Sequence, residues 1–102
     1  MNYKKIINQL PELEIFKDNE YDLQISYRYQ KFNQEIPILF LHGFNGNSKS
    51  WAYQFDYFKE KRSIIAIDAP GFGQSDPVDL DMLSIAKIVH DLLKSIGITR
   101  CD

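Results

Sequence analysis

Two glycine-containing turns hold the residues of this sequence whose types and spacing could do chemistry. The first, HGFNGNSKS at 42–50, follows one apolar run, and the second, DAPGFGQS at 68–75, follows another. A glycine-rich turn at the end of a strand gathers backbone N–H groups. Such groups can bind either a phosphate or the oxyanion that develops during acyl transfer. Both chemistries therefore have to be weighed against the residues present.

The phosphate interpretation rests on the string GFNGNSKS, which begins at Gly43 and nearly matches the pattern G-x-x-x-x-G-K-[ST]. Asp68 also opens an acidic D-x-x-G turn of the kind that GTPases carry. However, Ser48 stands where the pattern has a glycine, and a β-carbon there obstructs the backbone from wrapping phosphates. Lys49 and Asp68 also stand too close in sequence for a switch segment between them. A nucleotide-binding module is kept as an alternative.

The strands that must position the two turns follow from hydrophobic periodicity. Residues 36–42 and 62–69 centre on continuous apolar runs, which are typical of parallel strands buried on both faces. Residues 20–30 alternate, which predicts a strand with one apolar face and one wet face, typical of antiparallel pairing. A first strand is expected at 10–17, where Pro11 limits it to an edge or a strand start.

Two main helices are predicted between and after these strands. The first covers 47–61 and can be capped by Asn47 or Ser48. The second covers 82–96, with Asp79 or Asp81 as its cap and Gly97 at its end. Strands alternating with helices indicate an α/β architecture.

Composition excludes several classes of function. The chain has 102 residues, 44% of them apolar and 25% charged, with a formal net charge of −2. Because no basic stripe and no long apolar segment occur, we expect neither nucleic-acid binding nor a membrane role. The single cysteine, Cys101, fits a reducing compartment, so the expected location is cytoplasmic.

The two turns together resemble the N-terminal portion of the α/β-hydrolase fold family. The family's His-Gly corner after the third strand is matched by His42 and Gly43, and Trp51 matches a tryptophan frequent in its first main helix. The family's turn D-x-[RP]-G-x-G-x-S is matched by Asp68, Pro70, Gly71, Gly73 and Ser75. This resemblance implies about four strands, the first two antiparallel and the later ones parallel, in an incomplete sheet. Residues 1–19 are expected to form a lead with a possible first strand, and 20–102 a partial hydrolase domain.

The resemblance also implies the site residues. The backbone N–H of Phe44 would be one oxyanion-hole donor, and Gly43 would permit the sharp turn that aims it. The Phe44 ring and Asn45 would border the acyl pocket. His42 would brace the loop structurally. Asp68 would make its own turn by accepting N–H groups from the glycine loop, with Gly71, Gly73 and Ser75 completing that motif.

A hydrolase of this family needs a nucleophile on a G-x-S-x-G elbow, then an acid, then a histidine. The sequence contains no Gly-x-Ser-x-Gly, and no metal-ligand spacing or cofactor motif. His90, Ser75 and Cys101 are more simply structural residues than catalysts. We therefore expect an N-terminal fragment of a hydrolase that acts on a small ester, amide, lactone or similar acyl substrate and is inactive alone.

The family strand order 1-2-4-3-5 places the strand at 36–42 at a sheet edge when strand five is absent. A long apolar edge invites pairing with another chain. The expected partners are therefore a complementing C-terminal chain, as in a two-chain hydrolase, or a second copy of this chain.

Overall fold

A four-stranded mixed sheet in the order β1-β2-β4-β3 organises the chain. The computed structural model describes residues 3–33, 36–42, 46–71, 73–76 and 81–102. In chain order the elements are α1 (Tyr3–Asn8), β1 (Leu13–Asp18), β2 (Leu23–Gln30), β3 (Ile38–Leu41), α2 (Ala52–Phe58), β4 (Ile64–Ile67) and α3 (Met82–Ser95). β1 pairs antiparallel with β2, β2 antiparallel with β4, and β3 parallel with β4. The α/β class, the pairing directions and the strand order 1-2-4-3 are as the sequence predicts.

β4 is buried on both faces of the sheet, as its continuous apolar run predicts. Ile65 and Ile67 lie in one core cluster with Ile88 and Leu92 of α3. Ile64 and Ala66 lie in a second cluster with Phe55 of α2. Because successive strand residues point to opposite faces, the two main helices cover opposite sides of the sheet.

β2 departs from its prediction on one face. Its apolar side, which includes Leu23, Ile25 and Tyr27, lies in the core cluster beneath α3 as expected. Its other side is wet only at Gln24, which is exposed, because Ser26 is 0% exposed and Arg28 and Gln30 are half-buried. Loops and α2 cover the rest of this side and bond to its polar groups, so the alternating polarity from Ser26 to Gln30 reflects hydrogen bonding within the protein.

The N-terminal residues pack against the domain. Ile6 of α1 is buried, and the ring of Tyr3 lies 5.6 Å from that of Tyr53 on α2. β1 forms the possible first strand and pairs with β2 along its whole length.

The predicted helix at 47–61 is divided in two. Residues Ser48–Trp51 form a 3-10 turn, and the α-helix follows over Ala52–Phe58. Asn47 is the cap: its side chain accepts from the Lys49 N–H, and the Ser50 side chain accepts from the Asn47 N–H. This reciprocal capping tightens the first turn and fixes where the element begins.

The last helix, α3, agrees closely with its prediction. Asp81, rather than Asp79, is the cap, and its side chain accepts from the Ser84 N–H at 2.8 Å. That hydrogen bond holds the pKa of the Asp81 carboxyl below its usual value. Gly97 follows the helix with a φ of 81°. Among the described residues, no helix has the length and apolarity needed to cross a bilayer.

β3 lies at the edge of the sheet, and its outer side is partly paired. The Asp102 N–H donates to Pro37 O at 2.9 Å, and the Leu39 N–H donates to Asp102 O at 2.8 Å. These two bonds are the pattern of parallel pairing, so the residues at 101–102 run beside β3 as a fifth strand would. Leu41, at the other end of β3, is 56% exposed.

Replacing Leu92 by alanine tests the core beneath α3. Leu92 is 0% exposed, and its truncation should lower the free energy of unfolding by about 2–5 kcal/mol because it leaves a cavity. Leu83→Ala is the matched control, since Leu83 is 81% exposed and its truncation should change stability by less than about 0.5 kcal/mol. Urea unfolding followed by circular dichroism measures both. Equal losses for the two variants would contradict the placement of α3.

Candidate functional site

The two glycine turns meet at the end of the sheet where the carboxyl ends of β3 and β4 lie. β3 and β4 are parallel, so His42, which follows β3, and Asp68, which follows β4, leave the sheet at the same end. The carboxyl ends of parallel strands are where α/β folds build their sites. The residues around these two positions form the candidate site.

The Asp68 carboxyl group is the centre of the site. It is 1% exposed, and each oxygen accepts a hydrogen bond. The Ser48 N–H donates to Oδ1 at 2.5 Å, and Ser26 Oγ donates to Oδ2 at 2.6 Å. The sequence interpretation expected donors from the glycine turn that follows Asp68. Among the described residues, the donors come from the start of the 3-10 turn and from β2.

Ser26 links this carboxyl group to the glycine turn. Its Oγ accepts from the Gln74 N–H at 3.1 Å, and its N–H donates to Ser75 Oγ at 2.9 Å. Ser75 Oγ in turn donates to the backbone O of Asp68 at 2.6 Å. Asp68, Ser26 and Ser75 are all buried, so each of these groups would be costly to leave unpaired.

His42 is held against the residue after Asp68. Its Nε2 accepts from the Ala69 N–H at 2.9 Å. An imidazole nitrogen that accepts a hydrogen bond carries no proton, so this bond places the proton on Nδ1. His42 thus links the end of β3 to the residue that follows Asp68.

Gly73 is required by the close approach of its backbone to Asp68. Its φ is 54°, and a β-carbon there would lie 2.3 Å from Asp68 Cγ. Gly71 also has a positive φ, of 87°. The glycines of the predicted motif therefore let the chain fold over the buried carboxyl group.

Three predicted site residues, Gly43, Phe44 and Asn45, lie outside the described residues. The residues that flank them are described, and His42 and Ser48 are both tied to the end of β4.

Sequence reasoning missed Ser26 and Arg28, and it considered Ser48 only as a helix cap and as a departure from the phosphate pattern. Arg28 Nε donates to Ser48 Oγ at 3.1 Å, and its Nη1 donates to Pro11 O at 2.7 Å. Arg28 and Ser48 border a cavity of about 250 Å³ that Lys49, Asp68 and Gly73 also line. The available signal was the polar side of β2, which period-two reasoning assigns to solvent.

The geometry does not favour the phosphate interpretation of GFNGNSKS. The Ser48 N–H already donates to Asp68, and the Lys49 N–H donates to Asn47 Oδ1 at 2.8 Å. The Asp68 carboxyl group therefore already uses an N–H donor at the start of the 3-10 turn that a bound phosphate would need. Its charge would also repel a phosphate.

The other residues with reactive side chains lie away from this edge. His90 is exposed on α3, and Cys101 is half-buried near the end of the chain. Both line a cavity of about 430 Å³ with Leu93, Lys94 and Arg100. Within the part of the chain that the structure describes, no three His, Cys, Asp or Glu side chains are grouped to hold a metal ion.

Comparison with known proteins gives concordant matches. A family model described as alpha/beta hydrolase fold matches residues 36–101. Epoxide hydrolase 3 of Xenopus tropicalis is 40% identical over 68 residues, which cover 63% of this chain and 18% of that protein. Pimeloyl-[acyl-carrier protein] methyl ester esterase of Legionella pneumophila is 37% identical over 49 residues, which cover 48% of this chain and 20% of that protein. The chain thus spans about a fifth of the length of these curated relatives.

The fold also matches solved structures. A membrane phospholipase A described as a bacterial virulence factor superposes with a TM-score of 0.80 at 22% identity, over 97% of this chain and 32% of that one. At this identity the match supports the fold alone, and it extends that fold to the N-terminal residues outside the family match.

Two glycine variants test the close approach at Asp68. Gly97→Ala introduces a side chain at positive φ with nothing within 4 Å, so it should cost about 1–2 kcal/mol of unfolding free energy. Gly73→Ala adds the contact with Asp68 to a similar backbone cost. It should therefore be the more destabilising by about 1–3 kcal/mol. Urea unfolding of both variants measures the difference, and equal losses would contradict the tight packing of Gly73 on Asp68.

Proposed function

Because the chain belongs to the α/β-hydrolase family, we propose that it supplies the oxyanion-stabilising part of a hydrolase acting on a small ester, amide, lactone or similar acyl substrate. The observation that carries this proposal is the joint anchoring of His42 and Ser48 at the end of β4. These residues bound the connection at 43–47, which we call the oxyanion loop. A loop held at both ends at the carboxyl edge of parallel strands suits a preorganised donor.

The proposed donor is the backbone N–H of Phe44. In acyl transfer the carbonyl oxygen becomes an anion, and donors already aimed at it lower the barrier without reorganisation. The Phe44 ring and Asn45 would border the acyl group. This chemistry uses backbone and side-chain groups and requires no metal or cofactor.

The remaining machinery would come from polypeptide beyond strand five. No Gly-x-Ser-x-Gly occurs in the sequence, so we propose that the nucleophile, acid and histidine belong to a segment that continues the sheet beside β3. Asp102 already pairs with β3 in the direction such a strand would take. Residues 1–102 would then be inactive alone. A cytoplasmic location is part of the proposal and rests on the single free Cys101.

Epoxide opening is a second candidate. It is favoured by the 40% identity to epoxide hydrolase 3, which exceeds the 37% identity to the methyl ester esterase and covers more of the chain. One family fold hosts many reactions, so the substrate has to be found by assay.

Complementation tests the hydrolase proposal. The coding DNA beyond the Asp102 codon should encode a strand followed by Gly-x-Ser-x-Gly. Two products should then be made: a single chain that joins residues 1–102 to that segment, and a mixture of the two as separate chains. Hydrolysis of p-nitrophenyl acetate by either product, but not by residues 1–102 alone, is the expected result. Turnover of styrene oxide alone would support the second candidate, and turnover of neither substrate would contradict both.

The Phe44 donor can be removed in the active protein. Phe44→Pro deletes the backbone N–H and should lower kcat by about 10²–10³-fold, whereas Phe44→Ala keeps the N–H and should retain most of kcat. Steady-state kinetics on p-nitrophenyl acetate measures both. Equal loss in the two variants would contradict a backbone donor at this position.

The edge of β3 is the proposed surface for a complementing strand or for self-association. Leu41→Lys places a charge on this edge and should reduce self-association at micromolar concentration, as measured by sedimentation velocity. Leu83→Lys is the control, because Leu83 is more exposed but lies on α3. An equal reduction by both variants would show general hydrophobic association and not edge pairing.

A further inference from the structure

We infer that the Asp68 side chain is a positioning residue for the oxyanion loop, acting through Ser48 and not only on its own turn. The inference rests on the proposed function, because the position of the loop matters to catalysis only if the loop holds an oxyanion. The two ends of the loop, His42 and Ser48, are both described by the structure, and the contacts at these ends carry the inference.

The C-terminal end of the loop is tied by a hydrogen bond shielded from water. The Ser48 N–H donates to Asp68 Oδ1, and both residues are buried. Ser26 Oγ holds the second oxygen of the same carboxyl group, which restricts its rotation. A hydrogen bond to a carboxylate is about twice as strong as one between neutral groups. The start of the 3-10 turn is therefore fixed to the end of β4.

The N-terminal end of the loop is tied to Ala69, the residue that follows Asp68. The Ala69 N–H donates to His42 Nε2. Asp68 and Ala69 are adjacent, and a trans peptide holds their Cα atoms about 3.8 Å apart. The two ends of the loop are thus fixed to adjacent residues, one through the Asp68 side chain and one through the Ala69 N–H. Movement of either tie would change the span that the loop has to bridge.

The backbone and the side chain of Asp68 serve different segments. Its backbone O accepts from Ser75 Oγ and so holds the glycine turn. Its side chain crosses to Ser48 and so holds the loop. Ser75→Ala removes the first contact and the hydrogen bond from the Ser26 N–H, but it keeps the Asp68 side chain that accepts from Ser48, which makes it the control for Asp68→Ala.

Amide hydrogen exchange of residues 1–102, measured residue by residue by NMR, tests the inference without requiring activity. In Asp68→Ala the Ser48 amide should exchange about ten- to a hundredfold faster because its acceptor is lost. In Ser75→Ala the acceleration should fall on residues 73–76, and exchange at Ser48 should stay within about twofold. Asp68→Asn should restore most of the protection at Ser48, since its amide oxygen can still accept.

Two results would overturn the inference. The first is unchanged exchange at Ser48 in Asp68→Ala. The second is equal acceleration at Ser48, in β2 and in α3, which would mean that Asp68 contributes only to global stability. If Asp68→Ala does not fold, Asp68→Ser replaces it, since its hydroxyl can still bond Ser26 but its shorter side chain lacks the oxygen that accepts from Ser48. The Ser48 amide should then exchange faster in Asp68→Ser than in Asp68→Asn, and equal exchange in these two variants would overturn the inference.

The catalytic consequence is measured in the complemented enzyme. Asp68→Ala should lower kcat about tenfold or more with little change in KM, because it displaces a donor to the transition state and not the bound substrate. Faster exchange at Ser48 with an unchanged kcat would overturn the claim that the hydrogen bond between Ser48 and Asp68 contributes to catalysis. If the complemented enzyme without any substitution has no activity, the proposed function is refuted, and the hydrogen-exchange result at Ser48 is unaffected.

Discussion

A buried carboxyl group has to be matched with donors, and at Asp68 that requirement joins three parts of the chain. Leaving such a group unpaired would cost several kcal/mol, a large share of the stability of a small domain. The donors come from β2 and from the start of the 3-10 turn, while the backbone of Gly73 closes over the carboxyl group. The start of the 3-10 turn is therefore placed by the need to satisfy one side chain.

The sheet makes this arrangement possible by burying both faces of β4. α3 covers one face and α2 the other, so packing on both sides restricts the position of the backbone at the carboxyl end of β4. β2 lies directly beside β4 and extends Ser26 toward Asp68, and the Asp68 N–H donates to Ser26 O at 2.9 Å. Backbone pairing and side-chain pairing thus hold the same two residues together.

Much of the fold follows from the sequence because its signals are local. The apolar run of β4, the stripe of α3 and the alternation of β2 each depend on a few neighbouring residues, and the strand order follows from the family resemblance. The partners of Asp68 could not be read in this way. Ser26 and Ser48 are distant in sequence from Asp68, and a serine on the polar side of a strand looks the same whether water or a carboxyl group faces it.

The donors that tie the loop to β4 are main-chain groups: the Ser48 N–H and the Ala69 N–H. Every residue except proline supplies such a donor, so the ties do not depend on which side chains stand at 48 and 69. For directed evolution, this means that side chains near the site can be varied while the main-chain hydrogen bonds are kept. Because the buried Ser48 side chain also accepts from Arg28, the library belongs at 69, where any residue except proline keeps the N–H that donates to His42.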